Sequence, residues 1–161
     1  MTRSRVPELT FAIATEDEVM QMVDEGFRLA EHQDNLKVFQ MGNRELITKA
    51  FLDGIQDETE SDLTTIAFHT PNGEFVGGCL LCLDNPWYSD TAVVISELAT
   101  VSIKQGYGVS RAIAKLLSEI LERGLADVAV AAAAYPVNST IIANSYKKEG
   151  FNTYPTFFKE R

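Results

Sequence analysis

Apolar positions along the chain recur with two different periods, and the alternation of those periods predicts its elements. Leu9, Phe11 and Ile13 alternate with Thr10, Ala12 and Ala14, the two-residue period of a strand. Thr15-Glu16-Asp17-Glu18 has the form of a capping box, and the helix it opens carries Val19, Met20, Val23, Phe27 and Ala30 on one face. Glu31 to Gly42 follows neither period and reads as a loop. A second helix is predicted from Asn43, with Leu46, Ile47, Ala50, Phe51 and Ile55 as its stripe, and the acidic stretch Gln56 to Asp62 is a loop. Leu63 to Thr70 and Glu74 to Leu83 read as strands joined by Pro71-Asn72-Gly73, a strong hairpin turn. Gly77-Gly78 inside the second strand predicts a bulge or a close backbone approach.

After a turn-rich loop from Asp84 to Asp90, the stretch Val93 to Arg111 organises the remainder. Val93, Val94 and Ile95, then Leu98 and Val101, suit a strand buried on at least one face. Gln105 to Ser110 is a Gly-rich loop, and Ile113, Leu116, Leu117, Ile120 and Leu121 repeat at helical spacing. Gly124 is placed to stop that helix. Asp127 to Tyr135 is ambiguous: its alanines favour helix, but Gly124 and Pro136 leave a length better suited to a strand. A last helix runs roughly Ser139 to Glu149, ended by Gly150, and Phe151 to Lys159 closes with one or two aromatic strands. The order β-αα-ββ-β-α-β-α-β(β) describes one α+β domain over residues 1–161, without internal repeats.

Composition narrows the function classes. A formal charge of −9 argues against a nucleic-acid surface and mildly favours cationic partners. No apolar run is long enough to span a membrane and no apolar leader follows Arg3 and Arg5, so the expected location is cytoplasmic. Cys79 and Cys82, three apart on a predicted strand, point to opposite faces; they are expected to be buried, reduced thiols, and no metal site is expected.

A strand, a loop bare of large side chains and a helix N-terminus can together bind an anion, because the first helical N–H groups lack internal partners and the helix dipole adds positive potential. A diphosphate fits such a place, and Lys104 and Arg111 would add local positive charge. The phosphate-binding G-x-x-x-x-G-K-[ST] pattern is absent, and Gly106-Tyr107-Gly108 is followed by Arg111 where a dinucleotide fingerprint needs a third Gly. Gln105-x-x-Gly108-x-Ser110 instead resembles the Q/R-x-x-G-x-G/A signature of the GNAT N-acetyltransferases, with Ser110 where Gly or Ala is usual. Tyr146-Lys147-Lys148-Glu149-Gly150-Phe151 resembles that family's Y-x-K-x-G-F ending, and the predicted element order is similar to its topology along nearly the whole chain. The chain departs in three further places. Asn138 lies eight residues before Tyr146 where the family has an Asn seven before, so Ser139 is in register; Ser102 and Lys104 replace a usual Pro and aromatic.

The resemblance implies a single GNAT-like domain with a central mixed, mostly antiparallel sheet flanked by helices. It implies acetyl-CoA as cosubstrate, held by Leu98, Thr100, Val101, Gln105, Gly106, Tyr107, Gly108, Val109, Ser110, Arg111 and Asn138. The activity it implies is acetyl transfer to an amine, either a small molecule or a protein amino group, by an enzyme that is a possible homodimer. The alternative is a non-catalytic GNAT-like domain that binds a partner or CoA and transfers nothing.

Acetyl transfer requires a neutral nitrogen, and a Lys-like amine at pH 7 is about 4–5 kcal/mol short of that state. Glu97, a carboxylate within an apolar strand, is either the base that meets this deficit or a residue on a solvated strand face. Tyr146 matches the family's usual acid near the sulfur; the other reading is a core aromatic on an amphipathic helix, since Ile142 lies one turn earlier. A backbone N–H near Leu98 to Thr100 would meet the oxyanion. His32 and His69 read as structural or merely exposed. Trp87 and Tyr88 either line an acceptor pocket or cap the core; the acceptor walls are expected from Phe27 to Gly42 and Trp87 to Asp90.

Overall fold

Among the described residues, a connection through three helices, a hairpin, a longer loop and one crossover build a five-stranded sheet in which spatial order equals chain order. The computed structural model describes residues 6–32, 37–57, 61–131 and 139–153. The strands are β1 (Thr10–Ile13), β2 (Leu63–His69), β3 (Phe75–Asp84), β4 (Val94–Ser102) and β5 (Val128–Val130). The helices are α1 (Glu16–Ala30), α2 (Lys37–Met41), α3 (Arg44–Asp53), α4 (Val109–Glu122) and α5 (Ser139–Lys148). β1 to β4 pair antiparallel, and β4 pairs parallel with β5, the arrangement that requires a crossover helix, here α4. The expected mixed, mostly antiparallel sheet flanked by helices is therefore what the chain forms.

Each face of the sheet holds a separate core. On one, α1, α2 and α3 bury Val19, Met22, Val23, Phe39 and Phe51 against Ala67, Leu80 and Val101. On the other, α4 and α5 bury Val109, Ile113, Leu117 and Tyr146 against Phe68, Cys79, Leu81 and Ile95. The capping box forms as expected: Glu18 N donates to Thr15 Oγ1 at 3.3 Å and Thr15 N to Glu18 Oε2 at 2.9 Å. Glu18 also holds His69 Nε2 at 2.5 Å, which gives that histidine a structural partner.

Several expectations are corrected. Met22, not Met20, faces the core; Met20 is exposed because α1 meets the sheet along Val19, Met22, Val23 and Gly26. Leu46 is exposed although it sits on the predicted stripe of α3. Within the predicted loop Glu31 to Gly42, residues 37–41 form α2, whose Phe39 packs edge-on against Phe27 with ring centroids 5.3 Å apart. A five-residue helix is too short for periodicity to reveal it. Trp87 is 96% exposed and caps no core. Cys79 is fully buried but Cys82 only half-buried, and both are free thiols. The Ala-rich stretch does start as a strand, β5, but residues 132–138, Asn138 among them, lie outside the described residues. Residues 151–153 are irregular, and the rest of the predicted closing strands lies outside as well.

Gly77-Gly78 marks both a bulge and a close approach. His69 pairs with Phe75 and Phe68 with Gly77, which leaves Val76 as an extra residue. The Val76 carbonyl accepts from Ile103 N at 2.9 Å and Lys104 N at 3.2 Å, anchoring the start of the loop after β4. A Cβ on Gly78 would lie 2.3 Å from the Ile66 carbonyl oxygen and 2.5 Å from Met22 Sδ, so no larger residue fits between α1 and the sheet there. Among the described residues, no helix is long and apolar enough to cross a membrane.

Candidate active site

A second bulge decides where the side chains of β4 point. Leu81 pairs with Glu97 and Leu80 with Ala99, so Leu98 has no residue opposite it on β3. Side chains alternate faces along a regular strand, and one extra residue reverses the alternation. Before the bulge Ile95 faces the α4–α5 core; after it Val101 faces the α1–α3 core. Glu97 and Thr100, which regular alternation would put on opposite faces, consequently share the α4–α5 face. Leu98, expected to be buried, is 45% exposed for the same reason.

Glu97 is gripped on both oxygens. The Thr100 hydroxyl donates to Oε1, and the Tyr146 hydroxyl, from α5, donates to Oε2. Tyr146 is 6% exposed and meets Phe151 at 5.3 Å between ring centroids, with ring planes 67° apart. Cys79 pairs with Thr100 across the ladder, beneath the carboxylate. Burial pushes the Glu97 carboxyl above the usual carboxylate range, against the hydrogen bonds from Thr100 and Tyr146, which favour the charged form. Burial, then the Glu97 charge and hydrogen bond, hold the Tyr146 phenol well above its ordinary range, so it stays protonated and acts as a donor. Burial, then Glu97, likewise keep the Cys79 thiol protonated. The structure thus brings Glu97 and Tyr146 together. Sequence reading treated them as separate candidates and missed the Thr100 side chain altogether. A signal was present: Ile95, Leu98 and Val101 are spaced by three, which no unbroken two-residue alternation produces.

β5 pairs with β4 only from Val94↔Val128 to Ser96↔Val130, and from residue 97 onward β4 has no partner on that side among the described residues. A strand edge presents unpaired N–H and C=O groups. The same half of β4 leads into the loop and then α4. Gly108 is the N-cap of α4 at φ +80°, with no side-chain cap, so the first N–H groups of the helix are left without a capping acceptor from that residue. A residue with a Cβ would be strained at that φ.

The sequence-predicted loop residues divide by role. Gln105, Gly106 and Arg111 are exposed, while Ser110 and Tyr107 are half-buried, Tyr107 packing on the core. Val101 and Val109 are buried, so neither offers its side chain to a ligand. Val109, Ser110 and Arg111 belong to the first turn of α4 rather than to the loop. Lys104 is ion-paired with Glu74, so its charge is not free for the loop. A groove of about 630 Å³ runs beside this helix end, its walls including Glu8, Phe11, Gly108, Arg111, Lys115 and Glu119. Glu8 Oε1 meets Lys115 Nζ across it at 2.5 Å.

No family model and no curated protein matches the sequence. Solved structures do match over nearly the whole chain. A possible acetyltransferase from Clostridium difficile 630 is 11% identical, with 95% of this chain and 96% of that one covered at a TM-score of 0.64. An aminoglycoside acetyltransferase from an uncultured soil metagenomic sample, in complex with sisomicin, is 13% identical over 96% and 97%, TM-score 0.60. A transcriptional regulator from Bacillus halodurans C-125 is 15% identical over 95% and 99%, TM-score 0.65. At such identities the likeness is one of fold.

Proposed function

From the premise that the chain has the GNAT acetyltransferase fold, we propose that it is an N-acetyltransferase carrying an acetyl group from acetyl-CoA to an amine by direct attack on the thioester. The observation that carries this reading is the Glu97–Tyr146 pair, one half-strand from the glycine-capped end of α4.

The residues present fit the cosubstrate. Backbone N–H groups at Val109, Ser110 and Arg111 suit a diphosphate, with the exposed Arg111 beside them. The backbone of β4 beyond residue 97, including Leu98, Thr100 and Val101, has no partner on the β5 side among the described residues and suits the amide-bearing arm that joins diphosphate to thiol. Gln105 and Gly106 form the rim. Bound there, acetyl-CoA supplies an activated acyl carbon.

The side chains supply the proton chemistry. Glu97, with its raised proton affinity, is a stronger base than an exposed carboxylate and takes one proton from the cationic amine. The neutral nitrogen then attacks, and the second proton it sheds as the amide forms passes to solvent. Tyr146 Oη carries the proton that the departing sulfur needs. Because Tyr146 is hydrogen-bonded to Glu97, the proton gained by Glu97 replaces the one Tyr146 gives, and no buried phenolate persists. The backbone of the bulge at Leu98, free of an opposite residue, is available to the carbonyl oxygen. An acceptor that is cationic before it loses its proton suits a chain of charge −9.

The test is release of free CoA thiol across a panel of small amines and peptide amines. Glu97→Gln should lower kcat/KM by about 10²–10⁴ and remove the acid limb of its pH profile. A variant retaining both rate and acid limb would show that the amine loses its proton to solvent. A non-catalytic GNAT-like domain is the second reading, favoured by the Lys104–Glu74 pair and by Ser110 at its motif position. CoA binding without thiol release over the whole panel would select it.

A further inference from the structure

The Thr100 side chain has a role of its own. Its backbone belongs to the β4 edge, but its hydroxyl turns to Glu97 Oε1 while Tyr146 occupies Oε2. Two donors from two elements leave the carboxylate no freedom to rotate about its last bond without breaking a hydrogen bond. Only the bulge makes this possible, because without Leu98 as an extra residue the side chains at 97 and 100 would project from opposite faces of the sheet.

We propose that Thr100 is a positioning residue for Glu97: the bulge at Leu98 turns its hydroxyl onto Oε1, and the two hydroxyl grips fix the carboxylate on the α4–α5 face of β4. The proposal rests on reading Glu97 as the base, but the grip itself can be tested without turnover. A hydrogen bond from Thr100 stabilises the carboxylate over the carboxylic acid, so its removal makes Glu97 hold its proton to higher pH. Hydrogen bonds to charged groups are of a size to shift such a titration by about one pH unit. Val has the shape of Thr and an equal liking for strands, so Thr100→Val removes the donor with little change in packing. Thr100→Ser keeps the donor and serves as the rescue; Thr100→Ala repeats the deletion without the branched methyl groups.

The experiment is a carboxyl ¹³C titration of Glu-labelled protein, with the Glu97 resonance assigned by its absence from Glu97→Gln, alongside pH profiles of kcat/KM. The Glu97 midpoint should rise by about one pH unit in Thr100→Val and Thr100→Ala and return towards wild type in Thr100→Ser. The acid limb of kcat/KM should move by the same amount, with KM for acetyl-CoA unchanged. An unmoved midpoint in both deletion variants, or an equal shift in Thr100→Ser, overturns the proposal. If instead the midpoint moves as expected while the acid limb survives Glu97→Gln, the grip stands and Glu97 is not the base.

Discussion

Replacing Tyr146 by Phe isolates one hydroxyl. The ring, which is 6% exposed and packed edge-on against Phe151, keeps its apolar burial, so the change in stability reports the hydrogen bond to Glu97. A donor withdrawn from a charged acceptor costs about 1.5–3 kcal/mol. For a chain of 161 residues that is a fall of about 3–12 °C in Tm. The cost should depend on pH, and its sign follows from linkage. Tyr146 stays protonated throughout, so Glu97 alone titrates. The folded-state pKa of Glu97 lies above its unfolded value, and losing the Tyr146 donor raises it further. A raised carboxyl pKa in the folded state means stability lost as pH rises through that range. Tyr146→Phe should therefore be nearly as stable as wild type at acidic pH, where both carry a neutral Glu97, and should diverge above the wild-type midpoint. The assay is urea denaturation of both proteins at half-unit steps from pH 4.5 to 8. A penalty that does not vary with pH, or one below about 0.5 kcal/mol at pH 7.5, refutes the pairing of this hydroxyl with the Glu97 charge. In turnover the variant should lose about 10–10²-fold in kcat with little change in cofactor affinity, since a thiol is already a fair leaving group.

Two further outcomes separate the loop from the core. Acetyl-CoA at a hundred times its dissociation constant should stabilise the wild type by about 2.7 kcal/mol. Gly108→Val should lose that shift, because φ +80° strains a β-branched residue and the added Cβ stands where the diphosphate would approach; a full ligand-induced shift in the variant places the cofactor elsewhere. Gly78→Ala should cost about 1–3 kcal/mol by overpacking against Met22 and the Ile66 carbonyl, yet keep the whole ligand-induced shift; a stable variant would mean that both α1 and the β2 backbone can give way.

Local signals were enough for most of the elements. The Thr15–Glu18 capping box, the Pro71–Gly73 turn, the Gly124 stop and the stripe of α4 are each specified within a few residues, so the structure returns them nearly as read. The Pro71–Gly73 turn also fixes the antiparallel pairing of β2 with β3, both buried on two faces, whereas β1 joins β2 with all four of its residues exposed, Phe11 and Ile13 among them. The stripes of α1 and α3 were less legible. A helix can be amphipathic about several neighbouring directions, and the choice of Met22 over Met20 depends on where the sheet lies against it.

The candidate site was legible in its residues and not in its geometry. Glu97, Gly108 and Tyr146 stand out as a charge in an apolar strand, a bare loop before a helix, and an aromatic in a recognisable ending. That Tyr146 reaches Glu97 from a helix 49 residues away is a long-range contact, set by how α5 packs beside α4 on the sheet. That Thr100 joins them depends on a single unpaired residue in the β3–β4 ladder. A strand's sequence records which residues are apolar, but the face each one takes is counted from its neighbour's hydrogen bonds, and one extra residue inverts the count.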